Sequence, residues 1–282
     1  MVSMQLPRQQ RRKLRRDLLE RGRKALARPL PQPIPDDEAI AIVLALHDIL
    51  ADASRDNPAS RLADSAEALL DKTMSRDVKG LDYACRKGCG WCCWQRVACT
   101  APEVFRVAEW MRANAGRQGV PTLATIEAAE AAGASGTGPR LPGSAGVGAE
   151  RQPCALLIDN ACSIHPGRPL GCRAVLSMSA EACRKAMVDP ATAEPVPLIV
   201  TGTNAAEVVR TLMCAALAAR GLSDVGYDLQ QALVVVLPDP TAEARWLAGE
   251  DVLAGVRKGE RPPVARAAQQ GLVDLVRALA DA

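Results

Sequence analysis

Four cysteines fall within nine residues, as Cys85-x3-Cys89-x2-Cys92-Cys93, and Cys154, Cys162 and Cys172 form a second group, with Cys183 eleven positions further on. Thiolates without clustered carboxylates suit zinc, iron–sulfur clusters or Cu(I), and do not suit Mg²⁺ or Ca²⁺. The whole chain has only two histidines, so any site with several ligands must be rich in thiolate. A coordinated cation keeps the thiol deprotonated and offsets its charge. Eight thiolates exceed the need of one tetrahedral zinc. They fit two metal centres, or one iron–sulfur cluster beside a structural site, which favours iron over zinc. Free cysteine also packs as a small hydrophobe, but the run CRKGCGWCCW is rich in glycine and charge, unlike a core segment. Cys99 and Cys214 lie outside the pattern, and Cys214, within TLMCAALAA, reads as helix core.

On a regular helix the first four cysteines would share one face, since about 100° per residue spreads them over only ~100° of arc. Gly88 and Gly90 argue against a regular helix around Cys85 and Cys89. Either conformation can aim several sulfurs at one spot. Adjacent side chains diverge, so Cys92 and Cys93 can serve different metals. Trp91 and Trp94 are placed to shield such a centre from water, which would shift a cluster's potential.

The combined pattern resembles the YkgJ-like CxxCxxCC family of zinc- or iron-chelating proteins. The residues that carry it are Cys85, Gly88-Cys89, Cys92-Cys93, Val97 and Glu103, then Cys154, Cys162, Arg168-Pro169, Cys172-Arg173 and the stretch from Ser177 to Cys183. It spans about residues 81–190. The resemblance implies metal chelation by the cysteines and no settled reaction. With it, the expected ligands are Cys85, Cys89, Cys92, Cys93, Cys154, Cys162, Cys172 and Cys183. A related branch includes flagellin lysine methylases, so an iron–sulfur enzyme acting in redox chemistry or protein modification is the alternative. Nothing in this chain identifies a methyl-donor site. Where the family usually has Ile-Tyr, this chain has Ile164-His165, leaving His165 as an extra ligand or proton donor beside its plain surface reading.

Glu103 and the two arginines also have bland readings. Glu103 suits a helix first turn through the dipole, and Arg168 and Arg173 suit bridges to carbonyls and carboxylates near a crowded site. His47, among apolar residues, reads as a packed or edge histidine. Cys85-x3-Cys89-x2-Cys92 also fits the radical-SAM spacing, but that motif needs a strand-and-helix barrel around it, and none is legible here.

The elements that must position these residues read as helices. Aromatic residues are scarce in a chain that is 48% hydrophobic, and Ala, Leu and Val fill close-packed helices better than a β-sandwich. Apolar spacing predicts helices over 36–56, 58–75, 101–117, 121–133, 179–188, 203–220, 226–237, 240–248 and 263–280. Two short apolar runs flanking Asp159-Asn160 predict a small hairpin in the second cysteine group. The fold class expected is mainly α, an irregular helical domain around a cysteine-rich metal centre with one short hairpin.

Residues 1–35 form a separate unit in this reading and 36–282 the helical domain. Residues 8–28 carry ten Lys/Arg against Asp17 and Glu20, so a basic helix is expected there, read first as a solvated, frayed terminal helix and alternatively as one that meets an anionic or acidic partner, followed by a Pro-rich linker at 29–35. Residues 133–152 read as a Gly/Pro/Ser-rich connection between the cysteine groups. No secretory h-region and no run of 18 apolar residues is present, and ten cysteines, seven of them in two dense groups, suit a reducing compartment, so a cytoplasmic protein without a transmembrane segment is expected. A C2H2 finger pattern and aromatic stacking residues are both missing, which removes the common nucleic-acid modules. Oligomeric state is left open.

Overall fold

The computed structural model describes residues 36–52, 56–134, 152–189, 193–259 and 263–280. The basic segment, the Pro-rich linker and most of the Gly-rich connection therefore lie outside the described residues. Within them the chain is mainly helical, as composition predicts, with a few short strands.

A central helix organises the core. α1 (Asp36–Ala51), α2 (Pro58–Asp77) and α3 (Ala101–Ala113) precede it, with α4 (Leu123–Ala134) to one side. Two short helices, α5 (Leu170–Ala174) and α6 (Ala180–Val188), follow the second cysteine group. Then come α7 (Val200–Ala219), α8 (Leu229–Val236), α9 (Ala242–Leu247) and α10 (Pro263–Ala280). α7 packs against α1, α2, α5 and α10. Its residues from Val208 to Leu217, Arg210 apart, are all buried, because a helix surrounded by others must be apolar on every side. Alanines at 205, 206, 215 and 216 let those neighbours approach closely. At Gly202 a Cβ would meet the carbonyl oxygen of Ala174 at 2.6 Å, so glycine is required where α7 crosses the end of α5.

Long-range carboxylates fix the helix starts. Glu243 of α9, buried, accepts from the amides of Ala59 and Ser60 and from the Ser60 hydroxyl, which satisfies the first turn of α2 across 183 residues of chain. Phe105 and Trp246 meet edge to face with centroids 5.5 Å apart beside this joint.

Several expected boundaries shift. The helix predicted over 101–117 stops at Ala113, capped at Asn114. The one predicted over 226–237 opens instead as a strand, β4 (Gly226–Asp228), and Asp228 then caps α8 by accepting from Gln230 and Gln231. β4 is the middle of a small antiparallel sheet between β1 (Ala98–Thr100) and β5 (Lys258–Gly259). Three strands of two or three residues leave no alternation long enough to read from sequence.

The predicted hairpin is present as β2 (Leu157–Ile158) and β3 (Ala161–Cys162), in the register Leu157↔Cys162 and Ile158↔Ala161. Asp159 and Asn160 both have positive φ, 49° and 57°, as a two-residue hairpin turn with right-handed strand twist requires.

Candidate metal centre

The first cysteine group is not helical throughout. Residues 81–86 have no regular secondary structure, a turn follows at Lys87-Gly88, and Trp91–Trp94 form one turn of 3₁₀ helix. Glycine explains the break, since Gly88 adopts φ 90°. Gly90 packs onto the hairpin, where a Cβ would come within 2.9 Å of Leu157 Cδ1. The four cysteines thus do not share one helix face.

The tertiary fold instead brings the two groups side by side. The Cys154 amide donates to the Cys93 carbonyl at 2.7 Å, joining residues 61 apart in sequence. The Ala155 amide donates to Gln230 Oε1 at 2.6 Å, which ties the start of the second group to α8. Cys85 Sγ accepts from the Ser177 amide at 3.3 Å, and Ala84 donates to the Ser177 carbonyl at 2.8 Å. This sets the Ala84-Cys85 segment against the loop that enters α6, the helix carrying Cys183. α6 packs on the 3₁₀ turn, and Gln95 Nε2 reaches Met187 Sδ.

Charge couples the thiols in the same pattern. Burial raises the Cys85 thiol pKa, and charge on Cys89, Cys92 and Cys183 raises it further. Burial also lifts Cys154 to about 12 and Cys172 well above its ordinary value, each with neighbouring cysteines adding to the effect. Cys162 is raised by burial. Cys92 and Cys93 hydrogen-bond to each other, which pulls Cys92 down to about 6 and pushes Cys93 up. All ten cysteines are free thiols. Among the described residues, no three His, Cys, Asp or Glu side chains stand in metal-holding geometry as placed, so binding requires the sulfurs to draw together. The donor set fits a soft cation. Burial and mutual repulsion hold most of these thiols protonated, and a thiophilic metal displaces those protons.

Arginines stand where they offset thiolate charge. Arg168 lowers the pKa of Cys92, Cys162 and Cys172, and Arg96 lowers that of Cys154 while pairing with Glu130 and Asp228. Arg173 is a structural bracket: it donates to the carbonyls of Arg168 and Pro166, to Glu67 at 2.8 Å and to Asp71 at 2.8 Å. Glu103 is structural too. Its Oε2 accepts from the Thr100 amide and hydroxyl, and its Oε1 from the Leu170 amide at 3.0 Å. It therefore joins α3 to α5, the helix that carries Cys172.

The histidines stand apart from this chemistry. His165 is exposed, and its pKa is lowered by burial and then by Arg168 and Arg173. His47 lies on α1 beside Asp48, with Arg220 near. Arg96 and Gln230 support the cysteines but carry no spacing that marks them in the sequence, whereas Ser177 opens the stretch that resembles the family. Gln230 lies 75 residues from the amide it receives.

Residues 84–191 match the model of a family of shared cysteine pattern. That model is the one of the CxxCxxCC family, described as a putative zinc- or iron-chelating domain, and the match is to this segment of the chain. The CxxCxxCC segment runs from Ala84, whose amide begins the pairing with Ser177, through Cys183 and the end of α6, so it contains all eight expected ligands. Cys99 lies inside it and Cys214 outside. No curated protein and no solved structure matches the chain. The described strands form two small antiparallel sheets, which is not the barrel context that the radical-SAM spacing needs.

Two predictions arise here. Cys214 is buried in α7 and its thiol donates to the Asp224 carbonyl at 3.4 Å. Cys214→Ser keeps a donor there, and metal per chain, read by elemental analysis, is expected to equal that of the unmodified protein. A fall of half or more would place Cys214 among the ligands.

Glu67 is 3% exposed, with Oε1 unpartnered, and burial pushes its pKa up to about 7 against the pull of Arg173. A carboxyl raised in the folded state contributes stability that is complete below its ordinary value near 4.5 and lost as pH rises through about 7. Stability is therefore expected to fall from pH ~4.5 to ~7, and Glu67→Gln to flatten that slope relative to the unmodified chain. Identical slopes in urea unfolding would show that Glu67 titrates normally.

Proposed function

We propose that this protein binds iron, as an iron–sulfur centre, or zinc, through Cys85, Cys89, Cys92, Cys93, Cys154, Cys162, Cys172 and Cys183. The family description supports zinc or iron chelation for the segment. The observation that carries the finer reading is the backbone bond from Cys154 to Cys93, which puts two cysteine groups distant in sequence against each other. Eight thiols exceed one zinc's requirement, which favours iron. Ten free thiols fit a reducing compartment, so we place the protein in the cytoplasm. No described helix is long and apolar enough to cross a membrane. The basic segment at 8–28 would recruit an anionic or acidic partner.

A second reading, an iron–sulfur enzyme acting in redox chemistry or protein modification, is favoured by the exposure of Cys92 at the surface of the group. An accessible edge lets a cluster exchange electrons or meet a substrate.

Elemental analysis with an absorption spectrum, on protein purified without oxygen, tests the proposal. Iron with matching acid-labile sulfide and a broad visible band is the expected result. Zinc in a colourless sample would transfer the assignment to zinc and remove the enzyme reading. Neither metal at meaningful stoichiometry would overturn the proposal.

A further inference from the structure

Exposed apolar side chains are concentrated at one place. Of the six large hydrophobic residues that stand exposed among those described, five are Leu81, Tyr83, Met178, Leu198 and Val200; the sixth, Val235, lies on α8. Backbone bonds hold the segments of the five together. The Ala84 amide donates to the Ser177 carbonyl at 2.8 Å, the Met178 amide to that of Pro197 at 2.9 Å, and the Ile199 amide to that of Leu176 at 2.9 Å. Segments 83–85, 176–178 and 197–199 thus lie side by side, with Ser177 and Leu198 in bridge register. Half-exposed, five such side chains present on the order of 400 Å², the size of the largest patch on a single folded chain, which is often functional. Cys85, whose sulfur accepts from the Ser177 amide, borders it.

The same end of the molecule gathers cations. α1 and α2 pack together and are joined by a short connection, so they run antiparallel, which sets the start of α1 beside the end of α2. The end of α2 meets the start of α7, where a Cβ on Gly202 would come within 2.8 Å of Met74 Cε. Val200 opens α7, and Leu81 follows closely on α2. Lys79, Arg86 and Lys87, around Leu81 and Tyr83, are exposed and make no ion pair among the described residues. Asp82 and Glu194 are the acids beside them. Residues 8–28, with ten Lys/Arg against Asp17 and Glu20, join α1 through residues 29–35. A stretch of that length reaches at most about 25 Å, so the basic segment meets the described fold at this end. Asp36, Asp37 and Glu38, which open α1, offset part of this charge and leave an excess of cations.

Resting on the reading of residues 8–28 as a recruiter of anionic partners, we infer that this end of the molecule is a docking surface for an anionic lipid bilayer. Apolar side chains enter the boundary between headgroups and acyl chains, while Lys and Arg around them stay with the lipid phosphates. Tyr83 has the apolar ring and polar hydroxyl that suit the boundary itself. Firm attachment takes two signals, one apolar and one basic, and here both belong to one end. An acidic peptide or a nucleic acid would use the cations and leave the apolar side chains in water. Docking would bring the Cys85 side of the cysteine group close to the bilayer, whichever metal the group holds.

Co-sedimentation of the full-length protein with vesicles tests this. Binding is expected to vesicles of mixed phosphatidylcholine and phosphatidylglycerol, weakened by salt, and to be about tenfold weaker or less with phosphatidylcholine alone. The double variant M178S/V200S removes exposed apolar surface without changing charge, and should bind the mixed vesicles about tenfold more weakly with an unchanged Tm. Val235→Ser, away from the patch, should bind as the unmodified chain does. Equal binding by M178S/V200S and the unmodified chain would overturn the docking surface and leave the basic segment as the sole attachment. No vesicle binding, with retention on immobilised polyglutamate, would overturn the bilayer in favour of an acidic partner. Binding to neither would overturn the anionic-partner reading as well.

Discussion

Removing the metal is expected to loosen the cysteine segments while leaving the helical core folded. The core is built mainly by α1, α2, α3, α7, α8 and α10, to which the second cysteine segment adds Leu156 and Ile164. The stretches 81–97 and 152–169 are different. They hold one hairpin, two 3₁₀ turns and a handful of long-range backbone bonds, such as Cys154 to Cys93 and Ala84 to Ser177. Segments with so little regular structure open locally at low cost unless something else ties them. In the proposed function the tie is the metal, and its binding free energy adds to folding.

A metal present at about a thousand times its Kd stabilises by about 4 kcal/mol. For a chain of this size that corresponds to roughly 10 °C in Tm. Chelation should therefore lower Tm by on the order of 10 °C. Proteolysis within 81–97 and 152–169 should accelerate at least tenfold, since a 1.4 kcal/mol change is already that factor. The helical circular dichroism should stay near its starting value at 25 °C. An unchanged Tm and cleavage pattern after verified metal removal would show that the loops hold themselves together.

Glu103→Ala should be the most destabilising single change outside the cysteines. The carboxylate is fully buried and accepts three bonds, two from backbone amides at 2.8 and 3.0 Å. Truncation leaves the Thr100 and Leu170 amides unpaired in the interior. Each such orphan costs about 1–3 kcal/mol, so a loss of about 3 kcal/mol or more is expected in urea unfolding. The effect should reach the metal as well. Leu170 opens α5 and Cys172 stands two residues on, so a shift at that amide displaces a proposed ligand. Metal release to a chelator should become faster, whereas the exposed Arg184→Ala, whose partner Glu181 is also exposed, should change neither reading. A destabilisation below about 1 kcal/mol would mean that water replaces the carboxylate at those amides.

Spacing made much of the site legible. The cysteine groups are local features, and their chemistry follows from thiolate softness without any coordinates. The same holds for the Asp159-Asn160 turn, where two short polar residues between apolar runs accept the left-handed backbone of the hairpin. Glu103 was readable as a helix-start carboxylate because it falls in the first turn of the helix predicted from residue 101. The longer apolar-periodic helices α1, α2, α3, α4 and α7 were readable for the same reason: their pattern is set by a period that the sequence itself displays.

The bond from Cys154 to Cys93, the amide that Gln230 receives and the Glu243 cap on α2 were beyond such reading. Each joins residues between 61 and 184 positions apart, and their pairing depends on how the helices pack around α7. The 3₁₀ turn at Trp91–Trp94 and the two-residue strands are too short to show a period, so only their partners define them. The sequence by itself determined which atoms could bind a metal. The tertiary structure decided which segments stand together, as in the bond from Cys154 to Cys93, because their approach is set by the core beneath them and not by their order along the chain.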